Sequence, residues 1–147
     1  MFGMTSRSAF EGGKVRDAAS RANFANLTHA AAAIRLTARH SIRKAPKARG
    51  RDAKGRFKSA GKTQPSMPGS PPHTRKGQLK RAILYAVERK KQYAVIGPAY
   101  EMMGTAASAH EFGGRFRGQR YPRRPFMSPA LRENLPRLSK LWAGSVR

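Results

Sequence analysis

His110 and Glu111 are adjacent. A histidine beside a glutamate opens the HExxH type of zinc helix, in which two imidazoles one turn apart hold the metal and the carboxylate serves as base. The second imidazole would fall at position 114, which is Gly114, and His29, His40 and His73 stand in a helical stretch and a linker without ligand spacing. Glycine-rich phosphate loops are also missing. "GPAYEMMG" (97–104) and "EFGGRFRG" (111–118) carry neither a GKS/T ending nor GxGxxG spacing. Ser, Thr and the few carboxylates are too scattered for a nucleophile–base pair. The chain has 0 cysteines, which removes thiolate ligands, disulfides and cysteine nucleophiles, and the reducing cytosol is a natural place of synthesis. The expectation is therefore a protein that is not an enzyme, with no cofactor and no metal. His110 and Glu111 are expected to end a strand and make polar contacts.

The chemistry that remains is charge. Lys and Arg number 31 against 7 Asp and Glu in 147 residues, a formal net charge of +24. A small domain usually carries a net charge of about 2–8 in magnitude. The surplus repels itself unless a polyanion or an acidic protein surface neutralises it. Two stretches concentrate the cations: Lys44, Lys47, Arg49, Arg51, Lys54, Arg56, Lys58 and Lys62 around a single aromatic, Phe57, and then Arg115, Arg117, Arg120, Arg123 and Arg124. With Phe57, Phe116 and Tyr121 interspersed, such stretches can contact phosphates and stack on bases. They can equally well pack on acidic protein surfaces, and no RNA-recognition, zinc-finger or basic-zipper signature decides between the two. No apolar run approaches the roughly 18 residues that span a bilayer, and the N-terminus lacks the apolar core of a signal peptide, so neither membrane nor secretion is expected.

The elements that must position these residues read as one α+β domain over 1–147. A long helix covers 5–43, with Phe24, Leu27, Ala31, Ile34, Ala38 and Ile42 on one stripe at steps of three and four. A basic, Pro/Gly-rich arm and junction follows over 44–78; its composition cannot offset its own ordering entropy, so it orders on a partner. Over 79–127 a small antiparallel sheet of three to four strands is expected. Ile83, Tyr85 and Val87 alternate, 93–96 returns to make a hairpin, and 107–112 supplies a third strand before a basic arginine loop at 115–124. The last segment, 128–147, reads as a helix with Ser128 as N-cap and Pro129 in the first turn. Leu131, Leu135, Leu138 and Trp142 share a face, and Pro136 interrupts the ladder.

Three stretches in order carry a resemblance. "SMPGSPPHTRKGQLKRAI" (66–83), "AHEFGG" (109–114) and "YPRRPFMSPAL" (121–131) resemble the junction, the Glu-Phe-Gly turn and the PF-x-x-PAL segment of head-to-tail joining, or tail-completion, proteins of tailed bacteriophages, which are described as minor tail or virion morphogenesis proteins. The likeness covers 66–135 and reaches the first helix by pattern only. Lys76 and Ala82 depart from residues frequent in that family, and the arm 44–62 is longer and more basic.

The resemblance implies a homo-oligomeric ring, six subunits around the DNA channel, between adaptor, stopper or tail-terminator proteins in the virion neck. It also implies synthesis in the host cytoplasm. The motif residues have structural tasks under this reading. Gly69, Pro71 and Pro72 set a stiff, extended approach to the hairpin, and Gly77 permits a tight turn that delivers Leu79 and Ile83 to the core. Gly113 and Gly114 after Glu111 and Phe112 let the chain reverse, and Pro125 and Phe126 anchor the last helix beside Pro129. The alternative reading is a basic nucleic-acid-binding protein of ribosomal or nucleoid type.

Overall fold

The structure of the chain, a computed structural model, describes residues 11–46, 54–55 and 65–145. The expected helical residues 5–10 and the arm residues Lys47, Arg49, Arg51, Arg56, Phe57, Lys58 and Lys62 lie outside the described residues.

Helix α1 runs Gly12–Ser41 and buries Ala31, Ile34 and Ala38 of the predicted stripe, together with Ala30 beside it. The small side chains matter as much as the large one, because alanines let neighbouring backbones approach. A short helix, α2 (Gln78–Ala82), leads into a hairpin of β1 (Ile83–Glu88) and β2 (Tyr93–Pro98). Its register runs from Ile83 opposite Pro98 to Glu88 opposite Tyr93. Next come α3 (Tyr100–Met103), α4 (Ala106–Phe112), a second hairpin of β3 (Gly114–Phe116) and β4 (Gln119–Tyr121), and finally α5 (Met127–Trp142). The fold is α+β, with two separate two-stranded antiparallel sheets among the described residues.

Three expectations are corrected. Residues 106–112 are helical, not a third strand: "AASAHEF" is rich in the best helix former. Its buried residues, Ala107, Ala109 and Glu111, nevertheless fall at every second position, which is why it resembles a strand. Residues 65–78 of the junction, expected to order only on a partner, pack within the fold, with Ser66 and Pro72 buried and the Gly69 N–H donating to the Arg123 carbonyl. Part of the arginine loop is a hairpin, β3–β4.

The core gathers Ile34, Ala38, Ile42, Leu79, Ile83, Ala107, Phe126 and Ala130. α1 is its spine and packs against α5 and both strands of the first hairpin. Phe126, Ile42, Ile83 and Pro72 are the largest fully buried side chains. Each large apolar side chain removed from water in this way contributes about 1.5–3 kcal/mol. The buried face of α5 is Ala130, Asn134 and the partly buried Leu138, whereas Leu131 and Leu135 point outward at 44% and 52% exposure. The predicted leucine face is therefore rotated: α5 meets α1 through small residues, and Asn134 is satisfied by donating to Thr37 Oγ1 at 2.9 Å.

Polar links fix the frame at both ends. Arg35 Nε donates to the Ile83 carbonyl at 2.8 Å, holding the start of β1 against α1. At the other end Gln92 donates to Ser20 Oγ at 3.0 Å and accepts from Asn23, whose Oδ1 in turn accepts from Trp142 Nε1 at 2.7 Å. The hairpin turn, α1 and the last turn of α5 are thereby tied together.

Candidate functional site

Glu111 is buried (5% exposed) at the end of α4. Its Oε2 accepts the backbone N–H groups of Phe126 at 2.8 Å and Met127 at 3.0 Å. Its Oε1 accepts the Ser128 N–H at 2.8 Å and the Ser128 hydroxyl at 2.6 Å. A carboxylate thus occupies the N-terminus of α5, satisfying free N–H groups and meeting the positive end of the helix dipole. Burial pushes the Glu111 carboxyl up, but the bonds from the Ser128 hydroxyl and the three backbone N–H groups outweigh it and hold it below its ordinary range. The cap residue in sequence is Phe126, not Ser128 as predicted; Ser128 serves as a donor to the remote cap.

The neighbouring strap uses the other motif residues. Gly113 has φ 75° and ψ −179°, a region open essentially to glycine, and a Cβ there would lie 3.3 Å from the Arg123 backbone nitrogen. Arg124, expected to contact a partner, is 7% exposed; its N–H donates to the His110 carbonyl at 2.6 Å and its Nε to the Ser66 carbonyl at 2.8 Å. It is a structural bolt between the junction and α4. Arg123 donates from Nε to the Glu111 carbonyl at 3.3 Å, and its own carbonyl accepts the Gly69 N–H at 2.8 Å. Burial lowers the pKa of His110, and the Arg124 guanidinium adds in the same direction. Pro72 is fully buried and Pro71, Pro125 and Pro129 are half-buried, so the prolines frame this strap. Among the described residues no three His, Asp or Glu side chains gather as a metal site, and no helix is long and apolar enough to cross a membrane.

Beside the strap lies an apolar groove of about 310 Å³, with Ile96, Pro98, Ala107 and Met127 in its walls. Tyr100 and Phe112 also line it, at 71% and 72% exposure. Phe112, expected to belong to the turn, stands out from it. Gly97, another lining residue, pairs with Leu84, and on the same outward hairpin face Leu84, Tyr93 and Val95 are 46%, 45% and 60% exposed. Sequence patterning missed this surface, because apolar residues in short elements read as core. The tell-tale was an excess of apolar positions on both faces of "ILYAVE".

The basic candidates divide. Arg115 and Arg120 sit directly opposite each other across β3–β4, and Arg117 occupies the turn with φ 50°. Like charges facing across a ladder are destabilising unless an anion lies between them. Lys44 is exposed just past α1, bridged to Thr74, and Lys54 lies in an isolated described turn. Gly114 has φ 128° where β3 begins. No family model matches the chain, and neither a curated protein nor a solved structure does.

Proposed function

We propose that the chain is a structural virion protein of a tailed phage, a neck or tail-completion component that joins portal-side and tail-side proteins around the DNA channel. The observation that carries this reading is the exposed apolar surface of the groove and hairpin, with Tyr100, Phe112 and Val95 outward. Large apolar side chains left exposed in a groove and on a hairpin face mark protein–protein contacts. A second support is the use made of the three family-like stretches. Glu111, Gly113, Arg124 and Phe126 are all spent on shape, with their polar groups paired inside the fold. The subunits form a homo-oligomeric ring of six in the virion, and the basic segments 44–65 and 115–123 fasten to acidic neighbours or packaged DNA. Cryo-electron microscopy of purified particles tests this: density for the chain at the neck supports it, and absence from particles that are otherwise complete overturns it.

A further inference from the structure

A concave basic site lies at the root of the arm, where the end of α1 meets residues 74–77 and α2. Its walls are Lys44, Thr74, Arg75, Lys76, Gly77 and Lys80, around a hollow of about 450 Å³. No acidic side chain lines it, and none of its four cations has a carboxylate partner among the described residues.

The backbone beneath is fixed. Thr74 N–H donates to the Arg43 carbonyl at 2.9 Å, and Ala45 N–H donates to the Thr74 carbonyl at 3.0 Å, so Lys44 and Thr74 form a parallel bridge. Gly77, with φ 76°, donates its N–H to Thr74 Oγ1 at 3.0 Å. Buried Leu79 and Ala82 anchor α2 and with it Lys80. Four cations from three separate segments are therefore held around one hollow, although Coulomb repulsion alone would spread them.

We propose that this hollow is a docking site for the phosphodiester backbone of double-stranded DNA, with Lys44, Arg75, Lys76 and Lys80 neutralising phosphates. The composition selects this occupant. Protein interfaces deplete lysine and are centred on apolar or aromatic anchors, and the site has three lysines and no such anchor. Single-stranded nucleic acid is held by aromatic stacking platforms, and no aromatic lines the hollow. Lysine and arginine on a rigid frame, without base-reading side chains, are the elements of backbone positioning. In sequence Lys44 is followed by further cations, Lys47, Arg49, Arg51, Lys54, Arg56, Lys58 and Lys62. The inference does not rest on the virion role.

The test is anisotropy of a labelled 30-base-pair duplex with the full chain over a salt series. The groove variant is K44Q/R75Q/K76Q/K80Q, and the charge-matched control is R16Q/R21Q/R132Q/R137Q on the exposed faces of α1 and α5. The groove variant is expected to bind about tenfold or more weakly at about 0.1 M salt, with the slope of log K against log salt shallower by about 0.9 for each phosphate no longer neutralised. The control is expected to stay near the parent. Equal weakening by both variants would overturn the proposal in favour of net charge alone. Loss of polyglutamate binding with duplex binding intact would overturn it in favour of an acidic protein. Because all four side chains reach the surface, unchanged thermal melting is the companion readout; if the quadruple variant melts early, K76Q/K80Q is compared with R132Q/R137Q in the same assay.

Discussion

Glu111 and Ser128 are joined twice, the carboxylate Oε1 accepting both the Ser128 hydroxyl at 2.6 Å and the Ser128 N–H at 2.8 Å. A side chain at the end of α4 thereby caps α5, so the N-terminus of α5 depends on the placement of α4. Glu111→Ala removes the acceptor from three backbone N–H groups and a hydroxyl in a buried setting. We expect it to cost about 2–4 kcal/mol, with Ser128→Ala costing about 1 kcal/mol. Urea unfolding measures both. An alanine variant at position 111 as stable as the parent would contradict the capping role.

The same relationship sets a pH dependence. His110 has its folded pKa lowered, so between that value and its ordinary one of about 6.5 the unfolded chain binds more protons and stability falls as pH drops through the window. The folded pKa of Glu111 is also lowered; its contribution is complete above its unfolded pKa and is lost as pH falls through the folded value. Thermal melting followed from mildly alkaline to strongly acidic pH should therefore decline in two stages. His110→Gln should flatten the upper stage and leave the lower one.

Phe126 is 1% exposed at the centre of the core, directly before the capped helix. Phe126→Ala leaves a cavity and loses the transfer free energy of a ring, about 3–5 kcal/mol. Phe112, 72% exposed, has no such role. Phe112→Ser should change stability by less than about 0.5 kcal/mol. If the groove is an assembly surface, the same substitution should impair self-association in analytical ultracentrifugation, or incorporation into particles. A folded Phe112→Ser protein that assembles as the parent does would separate the groove from assembly.

How much of this was legible in the sequence depends on range. The α1 stripe and the existence of α5 were readable because a 3.6-residue period is a local property. The first hairpin was readable from alternation and its polar turn. Residues 106–112 misled because their burial alternates within a short helix, and the helix signal was the alanine content of "AASAHEF". The α5 face was misassigned because leucines outvote alanines in a hydropathy pattern. The packing of α5 on α1 uses Ala130 and Asn134, which suit close approach. The role of Glu111 was beyond local reading, since its partners lie 15 to 17 residues away and depend on the reversal at Gly113. Arg124 looked like its neighbours in a basic run, and only the path of the junction past Ser66 distinguishes it.

Arg115 and Arg120 give the last prediction. They face each other across a ladder only three residue pairs long, in a hairpin that therefore has little pairing to offset repulsion. An arrangement that is unfavourable in isolation becomes favourable when an anion sits between the two guanidinium groups. Arg115→Glu replaces the repulsion by an attractive cross-strand pair. It should stabilise the free protein slightly, by about 0.2–1 kcal/mol, with the gain shrinking as salt rises. The same change should weaken whatever acidic contact the hairpin makes, so stability and assembly move in opposite directions. Thermal melting at low and high salt reads the first effect, and particle incorporation reads the second. A destabilised Arg115→Glu protein would mean that the two arginines are not opposed in the free chain.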